Sequence, residues 1–144
     1  MKVKKLILTC LLAGISVTGF AQNKLPQGKW EVKQVTVEKN TDGKIDTAVY
    51  NAANEVKSYI SCPQEWEIKG ENIVLRYPNG VEETANYTLE GNTLKINASA
   101  SVLQYRYNLS SNVLTMNAVY NYVNNQPTGQ VERIEEKWII VLKK

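Results

Sequence analysis

The sequence of 144 residues contains no histidine, and this absence removes many common catalytic centres. Without an imidazole there is no Ser-His-Asp or Cys-His nucleophilic centre and no histidine-ligated zinc site. The sequence also lacks the G-x-x-x-x-G-K-[S/T] phosphate loop and the G-x-G-x-x-G dinucleotide motif. We therefore predict a protein without catalysis, without a cofactor and without a metal site.

Long apolar runs are scarce as well, and the longest one lies in a leader. Three lysines between positions 2 and 5 precede an apolar run over 6–17, and Gly19 and Ala21 place small residues at −3 and −1 of a cut after Ala21. This is the pattern of a secretory signal peptide over 1–21. The run is shorter than the ~20 residues of a membrane-spanning helix. We therefore predict a periplasmic or secreted protein.

Little net charge and little cysteine remain once the leader is removed. Three of the 17 Lys and Arg residues lie in the leader, so 14 basic residues face 14 acidic ones over 22–144. This balance gives no basic footprint for nucleic acid. Cys62 is then the only cysteine, which excludes an internal disulfide. We expect a half-buried apolar residue there, with a reactive thiol and intermolecular pairing as alternatives.

The repeated phrase YTLEGNTLKIN at 87–97 and YNLSSNVLTMN at 107–117 indicates β-hairpins. Apolar residues alternate within each copy, as they do in a strand with one buried face, and the centres E-G-N and S-S-N are turn sequences. A looser copy, WEIKGENIVL, occupies 66–75. Turn signals at about ten-residue spacing predict an all-β sandwich or barrel, and short connections favour antiparallel neighbours.

We predict one domain over 22–144, an up-and-down antiparallel barrel of about eight strands. Closure of such a meander removes its exposed edges. Apolar residues at helical spacing in NAANEVKSYISC predict one short helix near 51–60, with Asn51 as its cap. The predicted strands are 28–39, 44–50, 64–69, 72–77, 81–89, 93–98, 102–109, 113–122 and 131–142.

The segment LPQGKWEV at 25–32, with Gly28-x-Trp30, precedes an Asp42-Gly43 turn and the hairpin series. In this order the motifs resemble the lipocalin-like domains that Gram-negative bacteria export to their envelope. The resemblance implies a calycin-type barrel whose tryptophan, here Trp30, closes the floor beneath a basic residue from the last strand. Arg133 is the nearest candidate for that residue. The resemblance implies a shape rather than a particular ligand.

Tyrosine and tryptophan are plentiful on the predicted inner face, whereas the one phenylalanine lies in the leader. Buried Tyr and Trp groups need hydrogen-bond partners, which a ligand or water would supply. A barrel of eight strands can be hollow or filled, so a filled core is the alternative. The candidate ligand-binding residues of the lumen are Trp66, Tyr77, Tyr87, Tyr105, Tyr107, Tyr120 and Trp138.

The opposite face of the strands carries charge, including Glu65 and Glu67. We expect these two carboxylates to lie on a solvated outer face; a glycosidase pair is the alternative. An outward charged face argues against a membrane-spanning barrel. Asp46-Thr47-Ala48 resembles an O-glycosylation triplet of some Gram-negative envelopes, with Thr47 as the acceptor.

Two functions follow from these observations. The first is a non-enzymatic carrier or sensor that binds a small apolar or amphipathic molecule in the barrel. The second is an envelope protein-interaction module, an inhibitor or accessory subunit, with a filled barrel and contact loops at 51–62 and 124–129. A lumen of a few hundred Å³ would favour the first.

Overall fold

The computed structural model describes residues 24–98 and 101–144, so the predicted leader and its cut after Ala21 lie outside the described residues. Within these described residues, all regular structure is antiparallel β apart from one 3-10 turn over Ala53–Glu55. The predicted helix near 51–60 is present only as this turn. The strands are β1 Gly28–Thr41, β2 Lys44–Tyr50, β3 Glu65–Lys69, β4 Asn72–Arg76, β5 Glu82–Glu90, β6 Thr93–Asn97, β7 Val102–Ser110, β8 Val113–Asn125 and β9 Val131–Lys143.

Eight of these strands form a closed barrel, as the sequence predicts. Strands β3 to β9 pair in chain order, and β1 closes the circle by pairing with β9 through registers such as Val37↔Trp138. The first part of β1 pairs with β3, from Gly28↔Ile68 to Glu31↔Glu65, and its second part pairs with β2. Strand β2 is therefore a ninth strand, added to β1 beyond the closed barrel.

A β-bulge in β1 adjusts the first strand to the barrel. The pairing register of β1 with β9 shifts between Val32 and Gln34. Val32 and Val35 are both buried, whereas Lys33 and Gln34 are both exposed. The extra residue thus lets two valines three positions apart face the interior, which simple alternation does not allow.

The interior of the barrel is filled over most of its height. Alternate residues of each strand point inward, and twelve large side chains are almost wholly excluded from solvent. Layers of this kind fill small barrels with side chains instead of a channel. The filled core consists of Trp30, Trp66, Ile68, Ile73, Leu75, Leu94, Ile96, Leu114, Met116, Trp138, Ile140 and Leu142.

One end of the barrel, the closed end, contains the turns of all three repeated hairpins. The turn residues Gly70, Gly91 and Ser111 have φ of 63°, 60° and 54°, the left-handed region that the repeated phrase supplies with glycine or a small polar residue. The Tyr87 hydroxyl donates to Gly70 O at 2.9 Å, and the Tyr107 hydroxyl donates to Gly91 O at 3.1 Å. Each tyrosine thereby ties its strand to the turn of the preceding hairpin.

The residues just before β1 and just after β9 seal the same closed end. Leu25 is buried and its N–H donates to the Tyr87 hydroxyl at 3.2 Å, while the Trp30 indole N–H donates to Pro26 O at 3.1 Å. Lys144 Nζ lies 5.6 Å from the centre of the Trp30 ring. A basic residue therefore does cover Trp30, but it is Lys144, which follows β9 directly.

Arg133, the residue that the sequence analysis put forward for this contact, lies elsewhere. It is exposed near the start of β9, at the far end from Lys144, where its backbone exchanges hydrogen bonds with Asp42. Gly28 does belong to the floor. Its φ is +112°, and a Cβ there would lie 3.3 Å from Lys144 Cε, so a larger residue would be strained and would crowd the lysine.

Candidate functional site

The end of the barrel opposite the closed end, which we call the mouth, is covered by the connection between β2 and β3. This cover segment, residues 51–64, buries Ala53 and Cys62 in the core and packs Val56 and Ile60 against it. Its position follows from sequence, because Ala53, Val56 and Ile60 belong to the apolar set that suggested a helix and all three pack on the barrel core. The segment closes the mouth only in part.

A cavity of about 330 Å³ lies between the cover segment and the barrel wall. That volume corresponds to roughly ten water molecules, near the lower limit of small-molecule sites. Tyr77 at the end of β4, Tyr105 on β7 and Tyr120 on β8 line it, and Tyr59 of the cover segment lies over it. Among the described residues, Glu83 of strand β5 is the one carboxylate that lines it. We call this the mouth cavity.

Burial favours the neutral hydroxyl of three tyrosines of the mouth cavity, Tyr77, Tyr105 and Tyr120. Burial, followed by the nearby Glu83, raises the pKa of Tyr77. Burial also raises the pKa of Tyr120 and raises that of Tyr105 far above its ordinary value. The Tyr120 hydroxyl donates to the Tyr105 hydroxyl at 3.2 Å. These three tyrosines therefore present phenol groups as hydrogen-bond donors and acceptors.

A second feature of the mouth is the buried carboxylate of Glu136. Its side chain accepts three hydrogen bonds, from the Ser58 hydroxyl at 2.7 Å, from the Tyr122 hydroxyl at 2.7 Å and from the Trp138 indole N–H at 2.8 Å. Only 1% of the residue is exposed. Burial and this carboxylate raise the pKa of Tyr122 to about 12. Glu136 therefore joins the cover segment, through Ser58, to strands β8 and β9.

Aromatic rings connect Glu136 to the mouth cavity and to the core. Tyr59 meets Tyr122 edge-on at 5.8 Å between ring centres, and Tyr120 meets Trp138 at 5.5 Å. Tyr105 in turn meets Trp66 at 5.2 Å. Among the described residues, the Trp66 indole nitrogen is the one buried side-chain polar atom without a hydrogen-bond partner. The mouth is thus a continuous aromatic layer above an apolar core.

The seven lumen candidates divide into three groups. Tyr77, Tyr105 and Tyr120 line the mouth cavity together. Trp66 and Trp138 are packed in the core beneath it. Tyr87 and Tyr107 belong to the closed end, where their hydroxyls bind turn carbonyls. Alternation correctly places all seven on the inner face, but it carries no information about height along the barrel axis.

Sequence reasoning missed Tyr59, Glu83 and Glu136 as residues of the mouth. Tyr59 and Ser58 follow the 3-10 turn in a segment that was predicted to be helical. The sequence analysis placed no acidic residue on the inner face of the barrel. The place of Glu136 in the alternation of β9, between the inward Ile134 and Trp138, is the signal that could have identified it as an inward carboxylate.

The paired carboxylates Glu65 and Glu67 do lie on the outer face, where they bind a cation. Arg76 on β4 contacts Glu67 at 2.7 Å, Glu82 at 2.9 Å and also Glu65. Hydrogen bonds from Arg76 and then Lys69 lower the pKa of Glu67. With an arginine between them, these carboxylates form a surface ion-pair network.

Two other predictions concern Thr47 and Cys62. Thr47 is exposed in the middle of β2, so the prediction of O-glycosylation there stands as a prediction. Cys62 is buried and free, and burial raises the pKa of its thiol to about 12. A thiol in this state is a poor nucleophile. Residues 24–98 and 101–144 contain no group of three or more His, Cys, Asp or Glu side chains that could hold a metal ion.

A larger groove of about 500 Å³ lies outside the barrel, between outward-facing residues of β1, β8 and β9 that include Asn40, Val123 and Arg133. Its walls are mostly exposed side chains. The mouth cavity is smaller, but it brings together the buried ring of Tyr105, the half-buried rings of Tyr77 and Tyr120 and a carboxylate, and ligand sites commonly combine aromatic walls with a few polar groups. We therefore take the mouth as the candidate site.

Comparison with protein-family models, with curated proteins and with solved structures gives no match. In the part of the chain that the structure describes, no helix is long and apolar enough to cross a membrane.

Proposed function

We propose that this protein is an exported, non-enzymatic binding protein of the lipocalin-like type that holds a small amphipathic molecule in the mouth cavity. The observation that supports the proposal most directly is the cavity of about 330 Å³ walled by Tyr59, Tyr77, Tyr105 and Tyr120. The filled core below it limits the ligand to the mouth. The barrel acts as a rigid support, and the cover segment as the adjustable part of the site.

The expected affinity is modest. Burial of about 300 Å² of apolar ligand surface contributes about 7–8 kcal/mol at ~25 cal/mol/Å². Association opposes this with at least ~4 kcal/mol of lost translational and rotational freedom. We therefore expect millimolar to micromolar binding, with hydrogen bonds to the buried phenols deciding where in that range a given molecule falls.

The lipocalin-like assignment is supported by the closed eight-stranded barrel and by the floor. Trp30 lies beneath a basic side chain that follows the last strand, with Lys144 Nζ 5.6 Å from its ring centre. Both features are what the G-x-W resemblance implies. Export is proposed from the leader pattern at 1–21.

A second candidate is an envelope protein-interaction module, and the exposed surface beside β2 favours it. Ile45 and Val49 of β2 and Ile139 of β9 point outward and are roughly half exposed, at 58%, 57% and 43%. Strand β2 pairs with β1 alone among the described strands, so its other edge is available to a partner strand. The filled barrel is equally compatible with this function.

Native mass spectrometry of the protein, purified gently from the envelope of its own cells, tests the two functions. A reproducible small-molecule adduct that is lost on mild activation would support the carrier and give the ligand's mass. Protein that arrives bare, or with another polypeptide, would favour the interaction module. An added hexose-series mass localised to Thr47 would establish the glycosylation in the same spectrum.

A further inference from the structure

Two tyrosine hydroxyls of the mouth cavity carry one proton more than they use. The Tyr120 hydroxyl donates to the Tyr105 hydroxyl at 3.2 Å, and in the described part of the chain the Tyr105 hydroxyl donates to no other group. Each phenol has one proton to donate, so whichever of the two donates, the pair keeps a spare donor. Only 3% of Tyr105 is exposed, yet it lines the cavity. The spare donor is therefore held in a largely dry wall.

Tyr77 places a further hydroxyl beside this pair. It lines the same cavity from the end of β4 and is partly buried. The raised pKa of Tyr105, which is due first to burial and then to Tyr120, also has a contribution from Tyr77. The pKa values of Tyr77 and Tyr120 are raised as well, so all three groups keep their protons at neutral pH.

The surroundings of Tyr105 add another donor. Trp66 packs edge-on against the Tyr105 ring at 5.2 Å, and its buried indole N–H has no partner among the described residues. The carboxylates of the mouth are already engaged, since Glu83 has a partner of its own and Glu136 accepts three hydrogen bonds. Donors therefore outnumber acceptors around Tyr105.

We propose that the ligand of the mouth cavity presents a neutral carbonyl oxygen, as a ketone, ester or amide does, to the hydroxyl pair of Tyr105 and Tyr120. This inference rests on the proposed function, because it specifies the ligand class of that same cavity. A carbonyl oxygen has two lone pairs and no proton, so it can accept the spare donor and also the Tyr77 hydroxyl beside it.

Other polar groups on the ligand suit this wall less well. A ligand hydroxyl brings one more donor to a place where donors are already in excess. A carboxylate accepts hydrogen bonds, but no lysine or arginine of the described residues lines the cavity, and burial of an anion without a counter-charge is costly. A purely apolar ligand leaves the buried hydroxyl without an acceptor.

The test compares acetophenone with α-methylstyrene, which has the same shape but a methylene group in place of the carbonyl oxygen. Ligand-observed NMR titration of the purified protein measures both dissociation constants in wild type, in Tyr105→Phe and in the double variant Tyr105→Phe/Tyr120→Phe. The double variant is needed because loss of the Tyr105 hydroxyl releases the Tyr120 proton, which can then donate to the carbonyl.

Tyr107→Phe is the matched control. Tyr107 lies two positions after Tyr105 on the same strand and on the same face, but its hydroxyl donates to Gly91 O at the closed end. The substitution therefore removes the same atom from the other end of the barrel. Circular dichroism verifies that each variant is folded.

We expect the double variant to weaken acetophenone binding roughly tenfold, because the hydrogen bond to the carbonyl is lost, and Tyr105→Phe to weaken it less. Neither variant should weaken binding of α-methylstyrene, and Tyr107→Phe should change neither probe. The carbonyl stretch of bound, isotope-labelled acetophenone should move to higher frequency in the double variant. Benzoate should bind wild type more weakly than acetophenone does.

An equal loss for both probes in the double variant overturns the inference, and so does acetophenone binding that this variant leaves unchanged. Tighter binding of benzoate than of acetophenone overturns the neutral class, and failure of acetophenone to bind at millimolar concentration overturns the carbonyl class. Failure of the proposed function has a different result. If α-methylstyrene binds and the hydroxyls make no difference to either probe, the carrier function holds and only the ligand class is wrong; bare protein in native mass spectrometry contradicts the carrier.

Discussion

At the scale of single residues, Tyr87 and Tyr107 explain why the chain repeats a phrase. They occupy equivalent places in the two copies, and each ties its strand to the turn before it through both hydroxyl and backbone. The Tyr87 N–H donates to Glu71 O at 3.0 Å, and the Tyr107 N–H donates to Asn92 O at 2.9 Å. The repeat therefore encodes contacts between successive hairpins at the closed end.

Replacement of these tyrosines by phenylalanine separates the structural role from ligand binding. Tyr87→Phe should lower the free energy of unfolding by about 1–2 kcal/mol, because its buried hydroxyl both donates to Gly70 O and accepts from the Leu25 N–H. Tyr107→Phe removes one exposed hydrogen bond and should cost ~0.5 kcal/mol or less. Urea unfolding measures both changes.

The two variants are controls for each other, since they remove the same atom from equivalent places in the repeat. Neither should alter binding at the mouth, which lies at the other end of the barrel. A Tyr87→Phe protein that keeps its stability but loses its ligand would identify Tyr87 as a ligand-binding residue. This result would contradict its structural role at the closed end.

At the scale of elements, the strands could be read from the sequence and the cover segment could not. Nine of nine predicted strands are present, because alternation and turn residues are local properties that the barrel also satisfies. The helix near 51–60 fails after three residues, since Ser58, Ile60 and Cys62 must reach Glu136 and the core across the mouth. Tertiary contacts of this kind override local propensity.

The contrast between local sequence patterns and tertiary contacts also decides how much of the site could be predicted from the sequence. Inward orientation of Tyr77, Tyr105 and Tyr120 follows from the strand period. Their meeting with Tyr59 depends on how the cover segment crosses the mouth, and no local pattern specifies that path. Arg133 shows that prediction of the barrel floor was limited in a similar way. A basic residue near the last strand was expected to contact Trp30, but which residue reaches it depends on the length of β9.

The cover segment should open measurably when its hydrogen bond to Glu136 is removed, and Cys62 reports the opening. Burial raises the pKa of this thiol to about 12, whereas an exposed thiol titrates near ~8.5, so labelling near pH ~8 requires the open state. Ser58→Ala removes one donor and should cost about 1 kcal/mol of closure. The rate of Cys62 labelling by a disulfide reagent should rise about fivefold.

Ser61→Ala is the matched control, because Ser61 is exposed in the same segment. It should leave the labelling rate unchanged. Raising the pH toward 12 should speed labelling in every variant and destabilise the fold, since the raised pKa of Cys62 favours the folded state only while the thiol keeps its proton. Equal rates in Ser58→Ala and wild type would show that the bond to Glu136 does not hold the segment.

At the scale of the whole molecule, the barrel is closed by the pairing of its first strand with its last. Strand β1 begins at Gly28 and β9 ends at Lys143, and the two strands pair from Glu31↔Lys143 to Thr41↔Ile134. This pairing, the seam of the barrel, joins the first and last strands, so its loop-closure entropy is larger than that of the hairpins, and we expect it to form after them.

A circular permutation tests whether folding of the barrel requires β1 and β9 to be the first and last strands of the chain, or requires only that they pair. A flexible Gly/Ser linker joins Lys144 to Lys24, and new ends are placed in the exposed turn after Gln126, which connects β8 and β9. Every strand pairing is retained, and the seam becomes a local hairpin. We expect a folded monomer with a free energy of unfolding within about 2 kcal/mol of the parent and faster refolding, because the longest loop is now closed covalently.

A second permutant opened after Leu94, in the middle of β6 and fully buried, should not fold. If the first permutant fails as completely as the second, the β8–β9 hairpin, and not the terminal seam, organises the barrel; stopped-flow refolding and urea unfolding distinguish the two.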